Sequence, residues 1–314
     1  MNGAPHDFPT PAPEDEGIHS SDGQQLWNES WYFDAVAEDG SVGAYVRIGL
    51  YPNLGVAWYT AYVTGPGRPA VAVIDLEAPL PAGGGLRATT GALDADHRCE
   101  RPLERFRCTL EGTGEAHEDH AAPLRGERGR PVPVAFDLTW KTDGKPYAYR
   151  MTTRYEIPCN VEGTIRVDGE ELTLRGPGQR DHSWGLRDWW SMDWVWSAGR
   201  LADGARMHAV QIRLPDGNRF GVGYLQDANG PSELESVAAS EEVSTDGLVT
   251  SARLDLNPAA PALDVDPLGF GALRLVAPDG RITNFPRAMC RMRTEDGRAG
   301  LGWLEWNFNR GGPR

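Results

Sequence analysis

The chain has 314 residues, with 45 acidic against 31 basic side chains and a formal net charge of -14. That balance excludes the basic footprint of a nucleic-acid partner and disfavours docking on anionic membranes. No apolar run reaches the roughly 18 residues of a membrane-spanning helix. Met1 to Phe8 lacks a basic region followed by an apolar one, so the cytoplasm is the expected location.

Residues 1–26 are rich in Pro, Asp, Glu, Ser and Gly and predict a flexible or loosely wrapped arm. From Trp27 onward the pattern is β. Residues 31–37 predict a strand, closed by a turn at 38–41. Residues 43–51 alternate, with Ala44, Val46, Ile48 and Leu50 on one face and Tyr45, Arg47 and Tyr51 on the other. Residues 56–64 follow, with Val56, Trp58, Thr60 and Tyr62 on one side, and 70–76 predict a fourth strand. Shorter strands are expected at 86–90, 96–101 and 104–111. The polar stretch 112–131 reads as a long loop. Residues 133–142 predict a strand, and 164–167 with 170–175 a hairpin around Asp168-Gly169. A short helix is expected at 188–192. The β rhythm then resumes at 194–201, 206–214, 219–226, 248–256, 271–277, 281–292 and 300–308.

These are about sixteen to eighteen strands joined by Gly/Pro turns, with no propeller repeat. The fold class is therefore all-β, two tandem antiparallel barrels or sandwiches packed together. The domains divide at 27–175 and 176–314, after the arm at 1–26. Each half, about 140 residues, suffices for a barrel of roughly eight strands holding one small ligand. Cys99, Cys108, Cys159 and Cys290 read as reduced thiols, with a Cys99–Cys108 hairpin bridge as the alternative.

One stretch stands out, from Gly176 to Trp196. Five of the eleven tryptophans lie in it: Trp184, Trp189, Trp190, Trp194 and Trp196. Threaded among them are Arg180, Asp181, His182, Arg187, Asp188 and Asp193. Clustered indoles form an apolar wall. Charged groups in such a wall either pair or do chemistry.

The segment Gly178-Gln-Arg-Asp-His-Ser-Trp-Gly-Leu-Arg-Asp-Trp189 resembles the Asp-His-x-Trp-Gly centre of a lipocalin-like superfamily. That superfamily includes bacterial carotenoid 1,2-hydratase (hydroxyneurosporene synthase), with lipocalin-like Diels-Alderases as more distant cousins. Gly300-Leu-Gly-Trp-Leu-Glu-Trp306 is similar to its last strand. The resemblance implies two calycin-type barrels with an apolar ligand site near their junction. It does not fix the reaction, because these folds host hydratases, cyclases and plain binders.

A hydratase or cation-type cyclase must protonate carbon, which needs an acid held protonated near neutral pH. An apolar pocket raises a carboxyl pKa, and aromatic faces stabilise a developing cation. Asp181 is then the acid, or it orients His182 as the acid/base. Arg180 and Arg187 position a substrate oxygen, and the indoles form the wall. The competing reading pairs Asp181 with Arg180 or Arg187 and makes the tryptophans core between the halves. Asp188 and Asp193 read as turn residues. His208 alternates with Val210 and Ile212 and is either a core histidine or a second acid/base. Glu305 shares a face with Leu301, Trp303 and Asn307, either inside the barrel or outside it. Trp58, Tyr62 and Trp303, with Tyr45 and Arg47, either line a ligand space or pack.

Other chemistries are set aside. A serine-hydrolase elbow needs glycine where Asp181 stands. Gly176-Pro-Gly lacks the third glycine of a dinucleotide loop, and no phosphate loop is present. Asp181, His182 and His208 lack metal-site spacing. No cofactor and no metal are expected. The reading is a cofactor-independent enzyme acting on a hydrophobic isoprenoid- or polyketide-like molecule by acid-assisted hydration, isomerisation or cyclisation. The alternative is a lipocalin-type carrier of such a ligand.

Overall fold

The alternation seen in the sequence becomes twenty strands among the described residues, which in this computed structural model are 8–257 and 261–310. The first sheet holds β1 (Trp27–Val36), β2 (Gly43–Tyr51), β3 (Val56–Thr64), β4 (Ala70–Pro79), β5 (Leu86–Thr89), β6 (Leu93–Arg101), β7 (Arg105–His117), β8 (Arg130–Thr142), β9 (Tyr147–Ala148), β10 (Arg154–Val167) and β11 (Glu170–Leu186). Its order is β4-β3-β2-β1-β11-β10-β8-β7-β6-β5, and β4 also pairs with the end of β7. That pairing closes the sheet into a barrel, from which β6 and β5 extend beyond β7.

The second sheet holds β12 (Asp193–Leu201), β13 (Arg206–Arg213), β14 (Arg219–Asp227), β15 (Gly230–Glu233), β16 (Ser236–Val243), β17 (Val249–Asn257), β18 (Leu263–Val276), β19 (Ile282–Thr294) and β20 (Ala299–Arg310). Its order is β15-β14-β13-β12-β20-β19-β18-β17-β16. It curls until β16 reaches β13, where Gln211 Nε2 donates to the Val237 carbonyl at 3.1 Å.

Three cores result. Trp31, Phe33, Val46, Ile48, Phe106 and Trp140 fill the first barrel. Met207, Leu254, Met292, Leu304 and Trp306 fill the second sheet's concave side. Between them, Tyr32, Tyr45 and Tyr62 from the outside of the first barrel meet Trp189, Trp194, Trp196, Phe285 and Trp303. Period-2 alternation makes this seam. Residues 31, 33 and 35 point into the barrel, while Tyr32 and Val36 point at the second sheet.

Several expectations are corrected. Residues 112–131 are not one long loop, because β7 runs on to His117 and β8 starts at Arg130, leaving a short 3-10 turn at Ala122–Arg125. Residues 188–192 form a turn, not a helix, closed by the Trp190 N–H donating to Asp188 Oδ1 at 3.0 Å. The Asp168-Gly169 hairpin is present with both residues left-handed, at φ 51° and 87°. All four cysteines are free.

The arm is docked over the part that is described, residues 8–26, because Glu16 is buried against Arg180 at 2.6 Å. Residues 1–7 of it lie outside the described residues. The first sheet runs to Leu186, with β11 paired with β1 as far as Leu186↔Trp27, and the second begins at Asp193. Two glycines of β11 allow that close pairing. A Cβ would stand 2.0 Å from the Val36 carbonyl oxygen at Gly176 and 2.2 Å from the Asp34 carbonyl oxygen at Gly178.

Candidate functional site

A cavity of about 460 Å³ opens where β9 to β11 meet β12 to β14. Its apolar wall includes Leu186, Met192, Trp194, Trp196, Val210, Ile212 and Phe220. Tyr149, Arg154 and Arg187 are among its polar lining groups, together with Arg150, Asp188 and Glu233. A few polar groups set in an apolar wall are the usual make-up of a small-molecule site.

Behind this wall lies a buried polar network. Glu156 of β10 stands opposite Asp181 of β11, both on the strand face turned toward the second sheet. Arg154 Nε donates to Glu156 at 2.8 Å, and its NH2 group to Asp181 at 2.6 Å. Trp196 Nε1 and Gln179 Nε2 donate to Glu156 at 3.1 and 3.0 Å. Burial pushes Asp181 up to about 7 although Arg154 pulls it down, and Glu156 adds to the rise. Burial raises Glu156 as well. Burial, reinforced by Arg154 and Arg47, lowers Arg187 to about 10. Arg187 lines the cavity with no carboxylate among the described residues in a direct ion pair with it, and Asp181 is the negative charge that acts on it from farther off.

His208 is fully buried on β13. Its Nδ1 lies 2.9 Å from the Ser197 carbonyl, which can only accept, so Nδ1 carries the hydrogen. Burial and the Arg154 charge hold its pKa well below the ordinary histidine value, so the ring is neutral and Nε2 is bare. The Tyr149 hydroxyl, 2.5 Å away, therefore donates to Nε2. Burial holds the Tyr149 phenol well above its usual pKa, so in the resting pair the proton sits on the phenol oxygen. The result is a donor–acceptor pair whose phenol stands on the cavity wall.

The expected residues divide. Arg187, Trp194 and Trp196 line the cavity, and His208 and Asp181 sit one layer behind it. Asp181 and His182 are not brought together, because adjacent strand residues point to opposite faces. His182 faces into the first barrel, stacked on Trp31 at 4.2 Å, with Nε2 2.8 Å from Glu29. Arg180 shares that inner face and pairs with Glu16, not Asp181. Trp184 stacks on His19 of the arm at 3.8 Å.

Glu305 lies outside the second sheet's core, accepting from Trp194 Nε1 at 3.2 Å with Arg287 at 3.4 Å. Trp58, Tyr62, Trp189, Trp190 and Trp303 pack in the seam rather than around the cavity or inside a barrel. Tyr45 and Arg47 share that outward face, with the Arg47 guanidinium 5.0 Å from the Trp189 ring centre. Asp193 caps the last strand by accepting from the Asn309 N–H at 2.8 Å.

Sequence reasoning missed Tyr149, Arg154 and Glu156. The signal was present, since Arg154-Tyr-Glu-Ile157 alternates charged and apolar residues as a half-buried strand does.

Fold and site together define a lipocalin-like all-β protein of two antiparallel sheets, the first closed into a barrel and the second curled, with a ligand-sized cavity at their junction. The chain belongs to the family described as "Domain of unknown function (DUF7064)", whose pattern matches residues 12–310. Three solved structures share the fold. One is a Nitrosomonas europaea protein provisionally assigned as AttH, with 15% identity, 98% of each chain covered and a TM-score of 0.66. Kievitone hydratase from Nectria haematococca has 12% identity, 97% of each chain covered and a TM-score of 0.57. CghA has 13% identity, with 92% of this chain and 90% of that one covered and a TM-score of 0.55. CghA is also known in complex with Sch210972. Comparison with curated protein sequences gives no match. No helix among the described residues is long and apolar enough to cross a membrane.

Proposed function

We propose that this chain is an enzyme for a hydrophobic small molecule, isoprenoid- or polyketide-like, that carries a carbonyl or carboxylate oxygen. It promotes acid-assisted hydration, isomerisation or cyclisation without a cofactor. The observation that carries this reading is the Tyr149–His208 pair on the wall of an apolar cavity that also presents Arg154 and Arg187. The guanidiniums hold the substrate oxygen and stabilise negative charge that develops on it. The Tyr149 oxygen accepts a proton from water or a substrate C–H while its own proton passes to His208 Nε2. The reverse sequence delivers a proton to a second atom, so the protein ends unchanged. The indoles of Trp194 and Trp196 exclude water from the hydrocarbon part. A hydratase and a protein that binds a small molecule among the fold relatives are in keeping with this reading.

A carrier is the second reading. It is favoured by one feature, the engagement of Arg154 by both Asp181 and Glu156. A panel of hydrophobic enones and polyenes bearing carbonyl groups separates the two. Binding is followed by tryptophan fluorescence and conversion by mass spectrometry. The enzyme reading expects Tyr149→Phe and His208→Gln to bind the active compound but convert it at least ~100-fold more slowly. Equal conversion by both variants rejects the assignment, and binding without conversion by the native chain selects the carrier.

A further inference from the structure

The inner face of β11 carries a second cluster, which the cavity chemistry does not use. We propose that His19, Glu29 and His182 bind one divalent transition-metal ion of the zinc, cobalt or iron(II) kind, and that this ion clamps the N-terminal arm onto the first barrel.

The ligands come from three segments: the arm, β1 and β11. One ligating atom from each lies within 4.8 Å of the other two. His19 Nδ1 and His182 Nε2 stand 2.7 and 2.8 Å from the same Glu29 oxygen. Donors bound about 2.0–2.1 Å from a shared ion stand roughly 3 Å apart, so only small displacements are required. Two imidazoles with one carboxylate suit a borderline transition ion, whereas calcium and magnesium favour oxygen donors throughout.

Charge points the same way. The Glu29 side chain is only 1% exposed, and its ion-pair partners among the described residues are the two histidines alone. A buried carboxylate without a lysine or arginine beside it gains most from a cation. The surrounding shell is already built. The His19 ring stacks on Trp184 at an angle of 7°, and the His182 ring lies on Trp31 at 20°. The His19 backbone N–H donates to the other Glu29 oxygen at 2.9 Å. Both imidazole N–H groups now aimed at Glu29 must move their hydrogens to the far ring nitrogen when an ion enters. For His182 the Tyr155 hydroxyl, 3.2 Å from Nδ1, is in place to accept it. His19, with its side chain 26% exposed, gives the ion access from solvent.

The test uses the full chain, stripped with chelator and dialysed. Co²⁺ is followed by visible absorption and Zn²⁺ by calorimetry. One saturable site is expected, together with a rise in melting temperature and protection of residues 8–26 from protease. His19→Ala removes a partly exposed ligand on the arm and weakens binding at least ~tenfold. Glu29→Gln does the same where it folds. The absence of a saturable Co²⁺ or Zn²⁺ site in the native chain, or unchanged affinity in His19→Ala, overturns the proposal and leaves a hydrogen-bonded clamp.

Discussion

The two faces of β11 make different environments from adjacent residues. Asp181 looks toward the second sheet, where Arg154 links it to Glu156 behind an open cavity. His182 looks into the first barrel, where Glu29 and the docked arm close over it. Both faces are buried and both carry paired charges. They differ in what lies beyond the pair. On one side the next layer is the cavity lined by indoles and guanidiniums; on the other it is the protein's own N-terminal segment. The proposed reaction site therefore lies on the face whose buried polar network borders the cavity.

Four variants or conditions break or sharpen that contrast. The largest effect is expected from Arg154→Met, which leaves Asp181 and Glu156 as buried carboxylates without their cation. Urea denaturation should show a loss of about 3–5 kcal/mol. A loss below about 1 kcal/mol would mean that water already reaches the network.

Acid comes next. Burial depresses His97 to about 3 and holds His208 well below its usual value. In the unfolded chain both titrate near the ordinary value of about 6.5. Both are neutral when folded, so protons bind the unfolded state first. The stabilisation is full above about pH 6.5 and is lost as pH falls toward the folded-state values. One such histidine costs on the order of 2–3 kcal/mol between about pH 6.5 and 4.5. Thermal melts across that range should flatten in His97→Gln and in His208→Gln. If neither variant changes the slope, other groups govern acid unfolding.

On the arm side, Arg180→Met removes the partner of Glu16. Burial pushes Glu16 up, but Arg180 outweighs it and holds the carboxyl below its usual value. Glu16 sits on a segment that can swing into water, so the expected loss is smaller, about 1–3 kcal/mol. Limited proteolysis should then cut within residues 8–26 while the barrels stay intact. A loss as large as that of Arg154→Met would show that the arm is part of the barrel's cooperative core. The smallest stability effect is expected from Tyr149→Phe, about 0.5–1.5 kcal/mol by the same denaturation measurement. Its effect on conversion should be far larger, and that divergence separates a reacting group from a structural one.

Much of this was legible before the structure. The alternation at 43–51 assigned Ala44, Val46, Ile48 and Leu50 to one face, and these four fill the barrel. The Gly176 to Trp196 stretch stands out by its five tryptophans, and Trp189, Trp194 and Trp196 among them pack in the seam. The site was less legible. Period 2 says that Asp181 and His182 face opposite ways, yet not which of them meets the cavity, because each face of β11 is buried. Tyr149, Arg154 and Glu156 escaped because the bend at Arg150 to Thr153 interrupts the pattern around them. Glu16 and His19 escaped because the arm's composition reads as unstructured, and only long-range partners hold it.

The sequence alone therefore determined what local chemistry can express: an all-β chain, the strand faces, the turns and a tryptophan-rich crossing. These follow from alternation and from residues that tolerate tight backbone turns. Tertiary structure decided the rest. The pairing of β4 with β7 closes the first barrel, and the pairing of β11 with both β1 and β10 puts Tyr32 and Glu156 beside Asp181 and puts Trp31 and Tyr155 beside His182. Those neighbours lie far apart along the chain, and charge, pKa and access are set by neighbours in space.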